Sequence, residues 1–233
     1  MPQLTFERVE KKYLLTPAQL DALAPLLHRY MQIDQYGRHT ICNVYYDTPD
    51  YRLIRTSLQK PVYKEKLRLR SYGVPGPGDT VFVELKKKYR GVVYKRRTAL
   101  ELTAAERWLV GDGPAPEGQI AREIDYFQSL YRTGPAVFLA YDRVAMFGRQ
   151  DPELRLTLDE NIRWRTDALA LSAGDRGSPL SVQGLYLMEV KLPGVMPLWL
   201  AHGLAQAGAA PVSFSKYGCC YREFLQEDVR YAG

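Results

Sequence analysis

Hydrophobic and polar residues alternate along most of the chain, and a period of two predicts β-strands. Such stretches cover residues 4–15, 40–46, 62–72, 80–88, 92–102, 136–147, 154–165 and 184–192. Elsewhere the apolar spacing changes to three and four, which predicts helices. The first starts at Thr16-Pro17 and runs to about Tyr30, with Leu20, Leu23, Leu26 and Leu27 as its apolar stripe. Further helices are expected after Asp47-Thr48-Pro49, from Thr103 with Glu106 placed for a capping box, over 120–131, over 197–206 and over 213–228. Gly/Pro-rich turns fall at 74–79 and 148–152, and loops at 111–118 and 167–182. Short turns between consecutive strands imply antiparallel pairing, and eight strands suffice to close a barrel. The expected fold is therefore α+β: one domain over residues 1–233, a mainly antiparallel eight-stranded closed β-barrel with helices packed outside.

The polar faces of these strands carry one dominant sign. On the third strand Lys64, Lys66, Arg68 and Arg70 share a face, while Glu65, Leu67 and Leu69 point the other way. A row of like charges weakens a sheet unless an anion lies opposite it. The same side collects Arg8 and Lys12 on the first strand, Lys86 and Lys88 on the fourth, and Lys95 and Arg97 on the fifth. Arg143, Arg155 and Lys191 continue it on the last three. The acids among these cations are Glu10, Glu84, Asp159 and Glu189, and three of them stand two residues before a lysine. A solvated face would mix both signs with Ser, Thr and Gln. Carboxylates set among cations can hold Mg²⁺ or Mn²⁺ when substrate phosphates complete the shell, and Lys and Arg then take the remaining phosphate oxygens.

Composition fits this picture without deciding it. The chain has 233 residues, 46% hydrophobic and 25% charged, with a net charge of +6, so anionic partners are expected. Its three cysteines, Cys42, Cys219 and Cys220, fit neither a disulfide framework nor a four-ligand zinc site, and a reducing, cytoplasmic compartment is expected. Residues 1–10 contain no apolar signal core, and the apolar stretch 197–212 is too short and broken to span a bilayer. His28, His39 and His202 are scattered, so they form no metal cluster. Lys87 points away from Lys86 and Lys88, so these three do not make one nucleic-acid patch, and a nucleic-acid partner is not expected.

The order of motifs adds a resemblance. They are Phe6-Glu7-Arg8-Val9-Glu10-Lys11-Lys12-Tyr13, Val44-Tyr45-Tyr46-Asp47-Thr48, Lys66-Leu67-Arg68-Leu69-Arg70 and Val83-Glu84-Leu85-Lys86. Tyr141-Asp142-Arg143-Val144-Ala145, Leu156-Thr157-Leu158-Asp159, Met188-Glu189-Val190-Lys191 and Phe214-Ser215-Lys216-Tyr217 follow. Together the chain resembles the polyphosphate polymerase domain of the vacuolar transporter chaperone (VTC) complex, within the CYTH-like triphosphate tunnel metalloenzymes. The resemblance implies that Lys12, Arg68, Arg70, Lys86, Lys95, Arg143, Ser215 and Lys216 grip ATP and the growing phosphate chain. Arg8, Lys66, Arg97, Arg155, Lys191 and Tyr141 are further candidates for substrate contact. Glu189 is implied as metal ligand, for Mn²⁺ or Mg²⁺, with Glu10, Glu84 and Asp159 as further candidates. The wider superfamily opens with Glu-x-Glu-x-Lys. Here Arg8 stands at the first acid, which turns the reading from two-metal hydrolases towards polymerases.

Three functions stand against one another: a metal-dependent polyphosphate polymerase using ATP, a tripolyphosphatase or other organic triphosphate hydrolase, and a silent binder of polyphosphate or nucleotide. Acids within the cationic face favour the enzymes, since a pure polyanion binder gains nothing from them. The sequence carries no phosphate-sensing domain or membrane helices, leaving oligomeric state and any membrane partner for product export open.

Overall fold

Helix α1 (Pro17–Tyr30) begins where the sequence requires. The Thr16 hydroxyl accepts from the Gln19 amide at 3.2 Å, and the Gln19 side chain accepts from the Thr16 amide at 3.0 Å, closing a capping box with proline at the first helical position. The computed structural model describes residues 9–90, 92–192 and 194–226. Arg8 lies outside them.

Nine strands form one sheet among the described residues: β1 (Val9–Leu15), β2 (Met31–Asp47), β3 (Tyr63–Tyr72), β4 (Thr80–Tyr89), β5 (Val92–Glu101), β6 (Gly134–Gly148), β7 (Arg155–Arg165), β8 (Ser178–Pro179) and β9 (Tyr186–Leu192). The helices are α1, α2 (Arg52–Leu58), α3 (Leu102–Leu109), α4 (Gln119–Tyr131), α5 (Leu198–Gln206) and α6 (Lys216–Cys220). The hydrogen-bonded order is β1-β9-β7-β6-β2-β3-β4-β5, with β8 on β7. This corrects the expected closed eight-stranded barrel: among the described residues the sheet has nine strands, and no pairing joins its end strands β1 and β5. Closure would demand a consistent stagger around the whole ring. Each end is instead protected locally. The Val212 amide donates to the Lys12 carbonyl at 2.7 Å on the outer side of β1. β5 carries Lys95, Arg96 and Arg97, the kind of charge that keeps an edge strand from adding another chain.

The chain divides into two compact units. Unit one comprises Met1–His39, Tyr141–Ile162 and Ser181–Phe214, and unit two Thr40–Ala140, Arg163–Leu180 and Ser215–Gly233. Each buries its own core. In unit one, Leu23 and Leu27 of α1 and Leu200 and Leu204 of α5 pack with Tyr13, Leu15, Leu156, Met188, Val190 and Leu192. In unit two, α3 and α4 contribute Trp108, Leu109, Ile124 and Phe127 against Leu67, Leu69, Val81, Val83 and Leu85. These strand residues are the alternate positions opposite the cations, so apolar burial fixes which way each cationic face turns. Truncating a fully buried leucine such as Leu23 or Leu85 to alanine costs about 2–5 kcal/mol.

Several elements depart from the periodicity. β2 begins at Met31, directly after α1, instead of at Thr40. Helix α3 begins at Leu102 with Glu101 as its cap residue and no side-chain cap bond, because the Thr103 hydroxyl donates to the Pro77 carbonyl at 3.2 Å. The expected loop 167–182 contains a 3₁₀ turn, Leu171–Ala173, and β8. The final helix is split: α6 spans five residues and passes into a π-helical turn, Tyr221–Leu225.

Candidate functional site: two charged centres

In unit two the register of β3, β4 and β5 sets Arg68 opposite Glu84 and Glu84 opposite Arg97. Glu84 is 1% exposed and gathers four cations. Arg68 donates to its Oε2 through Nε at 2.8 Å and Nη2 at 2.6 Å. Arg97 donates to Oε1 through Nε at 2.6 Å and also through Nη2, Lys95 reaches Oε1 at 2.8 Å, and Arg70 stands 3.8 Å from Oε2. Burial alone would raise the Glu84 carboxyl, but Arg68, Arg70 and Lys95 outweigh it and hold it well below the ordinary range. Burial and the neighbouring Arg97 and Arg70 pull the Lys95 ammonium down to about 8, against the attraction of Glu84. One carboxylate thus fixes four cations on a single face and leaves them a net positive charge.

Their orientation is built from neighbours that charge counting overlooks. Asn43 accepts from Arg70 Nε at 2.9 Å and donates to the Leu139 carbonyl at 3.1 Å. The Tyr45 hydroxyl accepts from Arg68 Nη1 at 3.1 Å. The Arg97 guanidinium lies 4.3 Å from the centre of the Phe82 ring and donates to the Tyr72 hydroxyl at 3.2 Å. Asn43, Tyr45 and Asp47 occupy alternate positions of β2, so its period of two held the signal.

The next cross-strand row sets Lys66, Lys86 and Lys95 side by side. Lys66 donates to the Ser215 hydroxyl at 3.1 Å. That hydroxyl also accepts from the Gly218 amide at 3.2 Å, and Lys216 follows as the first residue of α6. What Ser215 presents is thus its hydroxyl, since a five-residue helix has little dipole. The segment is fixed by Tyr217, whose hydroxyl donates to Asp47 at 2.9 Å while Asp47 also accepts amides of Thr48, Leu53 and Ile54.

Unit one holds a centre of different balance. The Lys12 ammonium lies 3.0 Å from Glu189 and 3.3 Å from Glu10. Register sets Lys12 opposite Glu189 and Glu189 opposite Thr157, and in the adjoining row Glu10 opposite Lys191 and Lys191 opposite Arg155. Arg155 donates to the Pro152 carbonyl at 2.9 Å. Asp159 is fully buried and receives a forked pair from Arg143, Nε at 2.6 Å and Nη2 at 2.7 Å. The Arg143 guanidinium also lies 5.1 Å from the Tyr141 ring centre. Burial works against the charge on Arg143, but Tyr141, Asp159 and Glu189 overcome it and raise its affinity for the proton.

The four expected metal ligands thus separate by partner. Glu84 and Asp159 direct both carboxylate oxygens at guanidinium groups, whereas Glu10 and Glu189 converge on one ammonium. Among the described residues no group of three His, Cys, Asp or Glu forms a metal cage. Two carboxylates converging where a cation already sits suit a hard divalent ion that takes its remaining oxygens from phosphate. Beside Glu189, the Thr157 hydroxyl is buried without a hydrogen-bond partner, an oxygen donor in reserve. The donor set fits Mg²⁺ or Mn²⁺.

No described helix is long and apolar enough to cross a membrane. Comparison with curated proteins found no match. Among solved structures, the chain is similar to a "putative adenylate cyclase" of Bacillus halodurans, with a TM-score of 0.57 and 17% identity, covering 94% of this chain and 99% of that one. That likeness shows a shared fold. A second "putative adenylate cyclase", from Vibrio parahaemolyticus, aligns with a TM-score of 0.46 and 15% identity, over 91% of this chain and 96% of that one. The sequence itself matches the VTC domain family over residues 7–225, nearly its whole length, and the chain belongs to that family.

Proposed function

We propose that the chain is a metal-dependent polyphosphate polymerase, transferring the γ-phosphate of ATP onto a growing phosphate chain. The observation that carries this reading is the Glu84 centre, where Arg68, Arg70, Arg97 and Lys95 are held by one buried carboxylate. Cations fixed in advance need no reorganisation when charge develops in a transition state. Arg68 and Arg70 take phosphate oxygens through their guanidinium forks, with Lys66, Lys86, Lys95 and Arg97 along the same strand faces and Ser215 and Lys216 at the start of α6. Glu84 is the anchor of this set.

Glu189 and Glu10 would hold Mn²⁺ or Mg²⁺, which when bound supplies charge neutralisation at phosphate oxygens. Lys12 pairs with both carboxylates here, and with the ion held by them its ammonium would be available to phosphate. Arg143, aimed by Asp159 and backed by Tyr141, offsets charge on the transferring group, and Lys191 and Arg155 extend the cationic side. The nucleophile is a terminal phosphate oxygen of the acceptor chain. It is already anionic at neutral pH, so no general base is required and the work reduces to positioning and electrostatics.

Incubation with ATP and Mn²⁺, resolved on a gel for long polyphosphate and assayed for free phosphate, tests the reading. Long chains support it. Free phosphate alone replaces it with a triphosphate hydrolase, and tight polyphosphate binding without turnover replaces it with a binding module.

A further inference from the structure

Beyond the Glu84 centre the cationic face of unit two continues in ordered rows. The first row past it is Lys66, Lys86 and Lys95, and the next places Lys64 opposite Lys88 and Lys88 opposite Val93. At about 3.3 Å per residue, Lys64 and Lys88 lie roughly 13 Å along the strands from Arg68 and Glu84. A triphosphate is shorter than that span, and a longer phosphate chain is not.

Lys60, directly after α2, adds a third cation here. Lys64 is pulled below the ordinary lysine range by burial, then by Lys88 and then by Lys60, so two neighbouring charges bear on it. Among the described residues, no carboxylate forms an ion pair with Lys60, Lys64 or Lys88. Several other cations on β3, β4 and β5 have acids: Lys87 and Arg96 pair with Glu123, and Arg68 and Arg97 with Glu84. Lys64 donates to the Ser57 carbonyl at 3.0 Å in the last turn of α2, which explains its position as a helix cap but not its cationic neighbours. A cluster of like charges without a counter-ion lowers its energy by binding an anion.

We propose that Lys60, Lys64 and Lys88 form a distal subsite for a linear polyphosphate, engaged by chains too long for the Glu84 centre and unused by a triphosphate. The inference rests on the polymerase reading for its ligand and concerns binding alone. The subsite makes affinity depend on chain length and favours retention of a growing product over release of short ones.

The test is calorimetric titration of the full chain at fixed ionic strength, with tripolyphosphate and with long-chain polyphosphate as probes. Lys88→Gln is expected to weaken long-chain binding about fivefold, and Lys60→Gln with Lys88→Gln about tenfold or more, with tripolyphosphate binding unchanged within about twofold. Among the described residues neither side chain makes a hydrogen bond or ion pair, so thermal denaturation is expected to show both variants folded. Lys64→Gln serves as a further probe once thermal denaturation shows its cap role is not limiting. Equal weakening for both probes overturns the subsite, as does no weakening, or no polyphosphate binding by the unaltered chain. Weakened binding of a single-stranded RNA with polyphosphate unaffected would assign the lysines to nucleic acid and also overturn it. Because turnover is not measured, chain-length-dependent weakening stands even if no polymerase activity is found.

Discussion

The two units solve opposite electrostatic problems with the same strand chemistry. In unit two one buried acid holds four cations, and the centre is short of negative charge. In unit one Glu10 and Glu189 converge on the single ammonium of Lys12, while Asp159 pairs with Arg143. The balance of the first suits an anion, and the paired acids of the second suit a cation. The difference teaches that Glu-x-Lys on a strand does not have one meaning. Glu84 and Glu189 share the motif, yet cross-strand partners make one an anchor for arginines and the other a candidate metal ligand.

The sharpest way to break this comparison is at Glu84. Replacing it by Gln removes the buried carboxylate on which Arg68, Arg70, Arg97 and Lys95 converge, and loss of one partner of a buried ion pair costs about 3–5 kcal/mol. Chemical denaturation should show that loss, and added tripolyphosphate should restore part of it by supplying the missing anion. Equal loss with no recovery would mean that the centre is structural only.

Glu189→Ala should lower metal-dependent turnover about 100-fold or more while leaving tripolyphosphate affinity nearly unchanged. Turnover that survives would remove Glu189 from the metal assignment. Lys12→Met should tighten Mn²⁺ binding in the absence of phosphate by about tenfold, since a competing charge leaves the carboxylates. Weaker Mn²⁺ binding in that variant would show that Lys12 supports the site instead of filling it.

The smallest expected effect is in pH. The folded Lys95 ammonium titrates near 8, below the ordinary lysine value of 10.5, so between these values the unfolded chain holds a proton that the folded one lacks. This group's contribution to stability therefore rises with pH across that window, and its 45% exposure keeps the effect small. Phosphate binding has the opposite sign, because it needs the charge: tripolyphosphate affinity should fall about threefold as pH passes through 8. Lys95→Met should abolish that step, and its persistence would assign it to another group.

Much of this was legible in the chain before folding. Alternation placed Lys64, Lys66, Arg68 and Arg70 on one face because Leu67 and Leu69 must be buried on the other, and their burial confirms it. The Thr16-Pro17 start of α1 was equally legible, since a capping box is local. The residues that aim the arginines were not found. Asn43 and Tyr45 carry no charge and matter only through Arg70 and Arg68 on the neighbouring strand. The early start of β2 was missed because residues 33–39 are largely exposed and polar, so no apolar face marks them as strand.

What the sequence by itself determined is the side of each strand on which charge lies and the helices that cover the other side, because periodicity and capping are properties of neighbouring residues. What only the tertiary structure decided is register and closure. Register joined Arg68, Glu84 and Arg97 in one row and left Glu189 beside Lys12, and among the described residues it left β1 and β5 unpaired with each other. Those outcomes depend on which residue stands opposite which across strands distant in sequence, and the pattern along one strand is the same for every even shift of its partner.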